Sequence, residues 1–199
     1  MKHRIATLGL AALGMSTPAL AQEAPARFYG EVGFTELLAA GEEDSPGNQS
    51  DTVLGAVTGR VGAQLNRFVG VEGELSLGVV EDEDSGELVL GGAVAPFTAT
   101  TKLNNAYAGY VVGSVPVSER IDFFGRIGLG HAEVEAEARA ASLNLAETVS
   151  AGGDFFALGV GGRFMFDDRN GVRADYTRYE LFDDGGNLDS VSISYVRKF

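Results

Sequence analysis

Val191-Ser-Ile-Ser-Tyr-Val-Arg-Lys-Phe199 is the stretch from which the fold can be read. Side chains of an extended strand alternate between two faces. Val191, Ile193, Tyr195 and Phe199 therefore share one side, and Ser190, Ser192, Ser194 and Lys198 share the other. The apolar side is β-branched and aromatic and ends on an aromatic residue, whereas termini in water usually fray. A strand whose outer face meets hydrocarbon and whose end sits in an aromatic girdle needs this pattern.

The same period of two runs through the chain. Phe28, Gly30, Val32 and Phe34 alternate with Tyr29, Glu31, Gly33 and Thr35. Val53, Gly55, Val57, Gly59, Val61, Ala63 and Leu65 oppose Thr58, Arg60, Gly62 and Gln64. After a turn at Asn66-Arg67, Val69, Val71, Leu75, Leu77 and Val79 oppose Gly70, Glu72, Glu74, Ser76 and Gly78, which gives the clearest hairpin. A fourth strand spans about Lys102 to Val115, with both sides apolar and its facing open. A fifth sets Ile121, Phe123, Ile127 and Leu129 against Asp122, Phe124, Arg126 and Gly128. In a sixth, Phe156, Leu158, Val160, Phe164 and Phe166 oppose Gly159, Gly161 and Arg163; in a seventh, Val172, Ala174 and Tyr176 oppose Arg173, Asp175 and Thr177. The eighth is the closing stretch.

Eight strands with connections alternately long and short predict an all-β fold. It is an eight-stranded antiparallel up-and-down transmembrane β-barrel, with short periplasmic turns and longer acidic extracellular loops. Glu81 to about Thr100 is expected to be one such loop. His131 to Ser150 reads two ways: Glu133 to Ala138 alternates like a strand rising above the membrane before a loop, while Val134, Ala138, Ala141 and Leu145 also fit one helix face.

The first 21 residues are expected to be a signal peptide, with basic Lys2 and Arg4, an apolar run Ile5 to Met15 and a small-residue cleavage site ending at Ala21. The barrel domain would then be residues 22–199. No later apolar run is long enough for a transmembrane helix. With no cysteine, stability cannot come from disulfides. The formal charge of −13 excludes nucleic acid as a natural partner, since phosphate binding draws on Lys and Arg.

Facing then assigns the charges. Glu31, Glu72, Glu74, Asp122 and Asp175, with Arg60, Arg126, Arg163, Arg173 and Lys198, all fall opposite the apolar faces. On the lipid side an Arg or Lys at mid-depth would cost roughly 2–4 kcal/mol; inside a narrow lumen the same groups can pair. An ion-pair network of Glu31, Arg60, Glu72, Glu74, Arg126, Arg163, Arg173 and Asp175 is the expected content of the lumen. It holds the barrel together or, alternatively, lines a narrow ion or solute channel. Most of the excess negative charge lies in the outer connections: Glu42, Glu43, Asp44, Asp51, Glu81, Asp82, Glu83, Asp84, Glu87, Asp183 and Asp184. Glu81 to Gly92 is not a calcium hand, because its twelfth place is Gly92 rather than Glu. No metal and no cofactor are expected. A hydrolase of the outer leaflet would need His131 with a serine such as Ser142, Ser150 or Ser192, but no Gly-x-Ser-x-Gly is present. No catalytic residue is named.

Over about Arg27 to Phe199 the chain resembles the small outer-membrane barrels of the OmpA transmembrane-domain and OmpX type. The resemblance rests on Val115-Pro116-Val117-Ser118 leading into Ile121 to Gly128 with its inward Arg126, on Val172-Arg173-Ala174-Asp175-Tyr176, and on the terminal Phe199. Arg197 departs from it, standing where an aromatic or aliphatic residue is usual. The resemblance implies the outer membrane as location, a monomer, and outer-membrane lipids and lipopolysaccharide as surroundings. It implies the barrel-assembly machinery as a partner during insertion, with Val191, Ile193, Tyr195 and Phe199 as the insertion signal. It also implies a structural or surface-interaction role. A soluble barrel of lipocalin type would need the opposite facing, with Val, Leu and Phe inside.

Overall fold

The computed structural model describes residues 27–39, 52–90, 93–140, 145–182 and 186–199. The expected signal peptide lies outside them, as do Glu42, Glu43, Asp44, Asp51, Asp183 and Asp184. The strands are β1 (Arg27–Ala39), β2 (Thr52–Gln64), β3 (Val69–Val80), β4 (Asp82–Leu90), β5 (Ala93–Pro116), β6 (Ile121–Ala140), β7 (Leu145–Met165), β8 (Asn170–Leu181) and β9 (Asn187–Lys198). All neighbours pair antiparallel in the order β3-β2-β1-β9-β8-β7-β6-β5, and β3 also pairs with β5, so eight strands form a closed ring. Closure leaves no free edge in that ring. The ninth, β4, stands outside it and pairs only with the upper part of β5, from Asp82 opposite Thr101 to Leu90 opposite Ala93.

The apolar sides face out. Val61 is 70% exposed and Ile193 63%, whereas Arg173 is wholly buried. A lipocalin-type facing is thereby ruled out. The open facing of the fourth predicted strand resolves in β5: Tyr107, Val111 and Val115 point outward, and Ala108, Tyr110, Val112 and Ser114 inward. At the lower end the turns are tight. Asn66 Oδ1 accepts from the backbone N–H of Phe68 and Val69, at 2.8 and 2.9 Å. Asp167 Oδ1 accepts from those of Arg169 and Asn170, at 2.8 and 2.7 Å. The C-terminus is tied down as well, with Phe199 N–H donating to Phe28 O at 2.9 Å.

One expected loop turns out to be strand, and a stretch that read two ways resolves in favour of its strand reading. Asp82–Leu90 form β4 and Ala93 onward the upper part of β5, because the acids Asp82, Glu83 and Asp84 stand opposite the uncharged Thr101, Thr100 and Ala99, of which the threonines favour strand. In the described residues of 131–150 the period of two prevails over the helix face. β6 continues to Ala140, paired with β5 up to Thr98 and with β7 down to Leu145. Consequently β5, β6 and β7 have 24, 20 and 21 residues, against 12 or 13 for the other ring strands. A sheet of β4 and the upper parts of β5, β6 and β7 stands above the ring. On it Lys102 Nζ meets Glu135 Oε1 at 2.8 Å. Their hydrogen bond raises the lysine above its usual pKa and holds the glutamate below its own.

Candidate functional site

The bore is filled in layers, from strand positions that alternate large and small. Along β1 the inward residues run Tyr29, Glu31, Gly33, Thr35 and Leu37; along β9 they run Lys198, Val196, Ser194, Ser192, Ser190 and Leu188. Glycines and serines leave the room that long guanidiniums occupy. At Gly159 on β7, for example, a Cβ would lie 2.7 Å from Thr177 Oγ1 and 2.9 Å from Arg126 Nε.

All eight residues expected in the ion-pair network converge. Arg173 Nη1 donates to Glu72 Oε2 at 2.6 Å and to Glu31 Oε2 at 3.0 Å, and its Nη2 to Asp175 Oδ1 at 2.9 Å. Arg126 Nη1 meets Glu74 Oε2 at 2.8 Å and Glu72 Oε1 at 3.2 Å, and its Nη2 meets Asp175 Oδ1 at 3.3 Å. Arg60 Nε donates to Glu74 Oε2 at 2.6 Å. Arg163 is held more loosely, 3.6 Å from Glu31 and 3.6 Å from Asp122. Lys198 lies apart from this knot, lining the lower mouth with Arg27 and Asp122.

Four guanidiniums thus face four carboxylates in a neutral knot spanning the bore. Removing ions from water is expensive unless partners and further hydrogen bonds replace the hydration shell. Here hydroxyls supply part of it. Ser194 and Ser192 accept from Arg60 at 3.0 and 3.1 Å, Thr177 accepts from Arg126 at 2.7 Å, and Ser192 donates to Asp175 at 2.6 Å. Tyr29 and Tyr110 donate to Glu72 and Glu74, at 2.9 and 3.2 Å. Aromatic faces cover what remains: Arg126 lies 4.3 Å from the Tyr110 ring centroid, and Arg173 lies 4.1 Å from that of Phe124.

The aromatic and hydroxyl partners were absent from the expected set. Tyr29, Phe124 and the β9 serines carry a signal in their inward parity, but Tyr110 carries none while the facing of its strand is open. The second departure is above the knot. Thr35, Thr58 and Ser76 form a hydroxyl row, with oxygens 2.7 and 2.8 Å apart. Beyond it the lumen turns apolar: Leu37, Leu54, Leu103, Phe155, Leu181 and Leu188 surround a cavity of about 260 Å³.

The candidate catalytic groups are not assembled. His131 faces outward with Nδ1 2.7 Å from Asp154 Oδ1, whereas Ser192 is inside the lumen and Ser150 pairs with Glu135, four ladder positions from His131; Ser142 lies outside the described residues.

The family described as outer membrane protein beta-barrel domain matches residues 7–199. The chain belongs to that family. Its layered bore sits on a fold shared with other outer-membrane barrels. The attachment invasion locus protein Ail of Yersinia pestis, solved with the heparin analogue sucrose octasulfate, is 16% identical at a TM-score of 0.58, covering 87% of this chain and 99% of that one. A major outer membrane protein from Thermus thermophilus is 10% identical at 0.58, with 86% and 99% covered. Neisserial surface protein A is 8% identical at 0.54, with 86% and 97% covered. At such identities the shared property is the fold of this outer-membrane barrel family. No curated protein matches the sequence.

Proposed function

We propose that the chain resides in the outer membrane as a monomeric barrel with a plugged polar lumen, and that it acts through its outer surface. Support for the plug comes from one observation: four arginines and four carboxylates interlock across a bore that eight strands make only wide enough for side chains. An ion crossing it would have to separate pairs held at 2.6–3.0 Å. Conduction is therefore weak at most.

What the barrel offers outside is the upstanding sheet. Its segments 81–90, 93–106, 131–140 and 145–154 carry ten carboxylates, against Lys102 and Arg139 as bases. A surface of that sign suits a cationic partner and repels a sulfated polyanion of the kind solved with Ail. Outer-membrane lipids and lipopolysaccharide surround the belt. Val191, Ile193, Tyr195 and Phe199 present the outward aromatic and β-branched row that suits recognition by the barrel-assembly machinery during insertion.

Cell fractionation and planar-bilayer recording test the reading together. The protein should be found in outer-membrane fractions, shift its gel mobility on heating, and give almost no unitary current. Steady ion-selective openings would replace it with the narrow-channel alternative. Altered lipid composition that depends on His131 would replace it with the lipid-modifying one.

A further inference from the structure

We infer that the outer half of the bore is a binding site for an uncharged apolar molecule of about ten carbons, taken up from the water side. The inference rests on the barrel placement and is independent of how the surface sheet is used.

Inward positions of a membrane barrel are ordinarily polar, and below the hydroxyl row the charged knot dominates, with Val112, Phe124 and Val196 packed around it. Above that row six strands turn apolar side chains inward: Leu37 from β1, Leu54 from β2, Leu103 from β5, Phe155 from β7, Tyr179 from β8 and Leu188 from β9. Such a layer would serve merely as the core of the emergent barrel if it closed on itself. It does not close, and a cavity of about 260 Å³ is left between these side chains. A void in an apolar core destabilises in proportion to its volume. Water is a poor occupant, since it needs two to four polar partners. Most polar groups that line it are engaged: Glu74 accepts from Arg60, Arg126 and Tyr110, and Thr35 and Ser76 pair with Thr58, which leaves the Tyr179 and Thr101 hydroxyls.

Size, charge and route narrow the occupant. An apolar cavity of roughly 150 Å³ takes a benzene ring, so the present one suits a molecule on the order of ten carbons. Phe155 and Tyr179 meet edge to face with centroids 5.0 Å apart, presenting an aromatic wall that favours a flat or aromatic guest. A charged guest would find every ionic partner below already paired. Entry through the wall is opposed where Glu36, His131, Asp154 and Asp189 stand outward at this height, while Leu38, Val53 and Leu77 face out on the β1–β3 side. The water-side end of the bore is the route assigned here, and the plug beneath makes it a dead end.

Naphthalene is a suitable probe, added to the full barrel in lipid nanodiscs with labelled Leu and Val methyls. The expected result is saturable, single-site binding, with NOEs from naphthalene to Leu54, Leu103 and Leu188. Ala132→Phe projects a ring into the same space and should weaken binding at least tenfold while the heat-dependent gel shift persists. If that variant fails to fold, Ala106→Met tests the same volume from β5. Val57→Phe, with equal bulk on the outer face, should leave binding unchanged. NOEs confined to Val57 and Leu75 would show partition into the bilayer and overturn the inference. Lipid acyl protons at Leu54 and Leu188 would assign the pocket to a bilayer chain and also overturn it. So would naphthalene binding that is unaltered in a folded cavity-filling variant.

Discussion

Arg173 shows how a single side chain can decide a bore. It carries no exposed surface and its Nη atoms reach three carboxylates from three other positions: Glu31 on β1, Glu72 on β3 and Asp175 two residues along its own strand. Replacing it by Met keeps the bulk but strands three negative groups beside one another. Breaking a buried pair from one side costs about 3–5 kcal/mol, so Arg173→Met should fall in that range or beyond in urea unfolding from lipid. Arg173→Lys should recover only part of the loss, because an ammonium cannot reproduce a planar fork. Arg163→Met is the contrasting case. Its partners are 3.6 Å away, and the Tyr29 and Phe124 rings at 4.8 and 5.1 Å can pack against Met almost as well. It should cost clearly less than Arg173→Met, and an equal cost would mean that the ring packing, not the pairing, holds the bore. The membership of the knot was legible in the sequence, since period two places all eight residues inward. Its pairings were not. Arg173 meets Glu72, 101 positions earlier, only because the ring closes and the strands tilt.

Among the elements, the upper parts of β5, β6 and β7 separate in behaviour from the parts below. Beyond Phe155 opposite Leu181, β7 residues 145–153 have no ladder partner on the β8 side among the described residues. Local stability follows such pairing. Ala136→Pro on β6 removes an N–H from a strand flanked by Thr101 on one side and Val149 on the other. Trypsin cleavage after Arg139 should then accelerate at least tenfold while the heat-dependent gel shift is retained. Loss of the gel shift would mean that the sheet and the ring fold as one unit. The turn after β7 makes a second prediction. Asn170 Nδ2 and the backbone N–H groups of Arg169 and Asn170 bind the Asp167 carboxylate and hold its pKa below the usual aspartate value. A depressed folded value gives stability that is complete above the unfolded pKa, near 3.9, and is lost as pH falls through the lower folded one. Asp167→Asn should therefore flatten the stability profile below about pH 4 relative to the parent, as followed by unfolding at several pH values. An unchanged slope would exclude this turn as its source. Elements were read well where alternation was clean, as in β2, β3, β8 and β9. They were misread at 81–100, where a run of acids resembles a solvated loop. In the segment paired opposite it, Phe97, Thr98, Thr100 and Thr101 carry the strand preference, and no local reading of Glu81 to Glu87 contains it.

On the scale of the whole barrel, β6 and β9 show a facing rule that holds at one height and inverts at another. From Ile121 to Leu129 the outward residues of β6 are apolar, a rise of about 20 Å at the tilt of such barrels, close to the roughly 25 Å apolar band expected of them. One step higher His131 and Glu133 face out, and Ala132 and Val134 face the cavity. β9 repeats the change, with Ile193 and Val191 outward in the belt, then Asp189 outward and Leu188 inward. The cause is the surroundings: hydrocarbon below the switch favours apolar groups outside, and water above it favours them inside. Nitroxide labels placed singly along β6 and β9 can locate the switch. Labels at Ile127, Leu129 and Ile193 should be relaxed by oxygen, which concentrates in lipid, and labels at Glu133 and Asp189 by a water-soluble nickel chelate. The two accessibilities should cross between Leu129 and Glu133 on one strand and between Val191 and Asp189 on the other. A crossing several residues nearer Ala140 would place the apolar cavity at bilayer depth and give its walls lipid on the outside. In that arrangement Glu36, His131 and Asp154 would be charges and dipoles held in hydrocarbon, at a cost no pairing among them offsets.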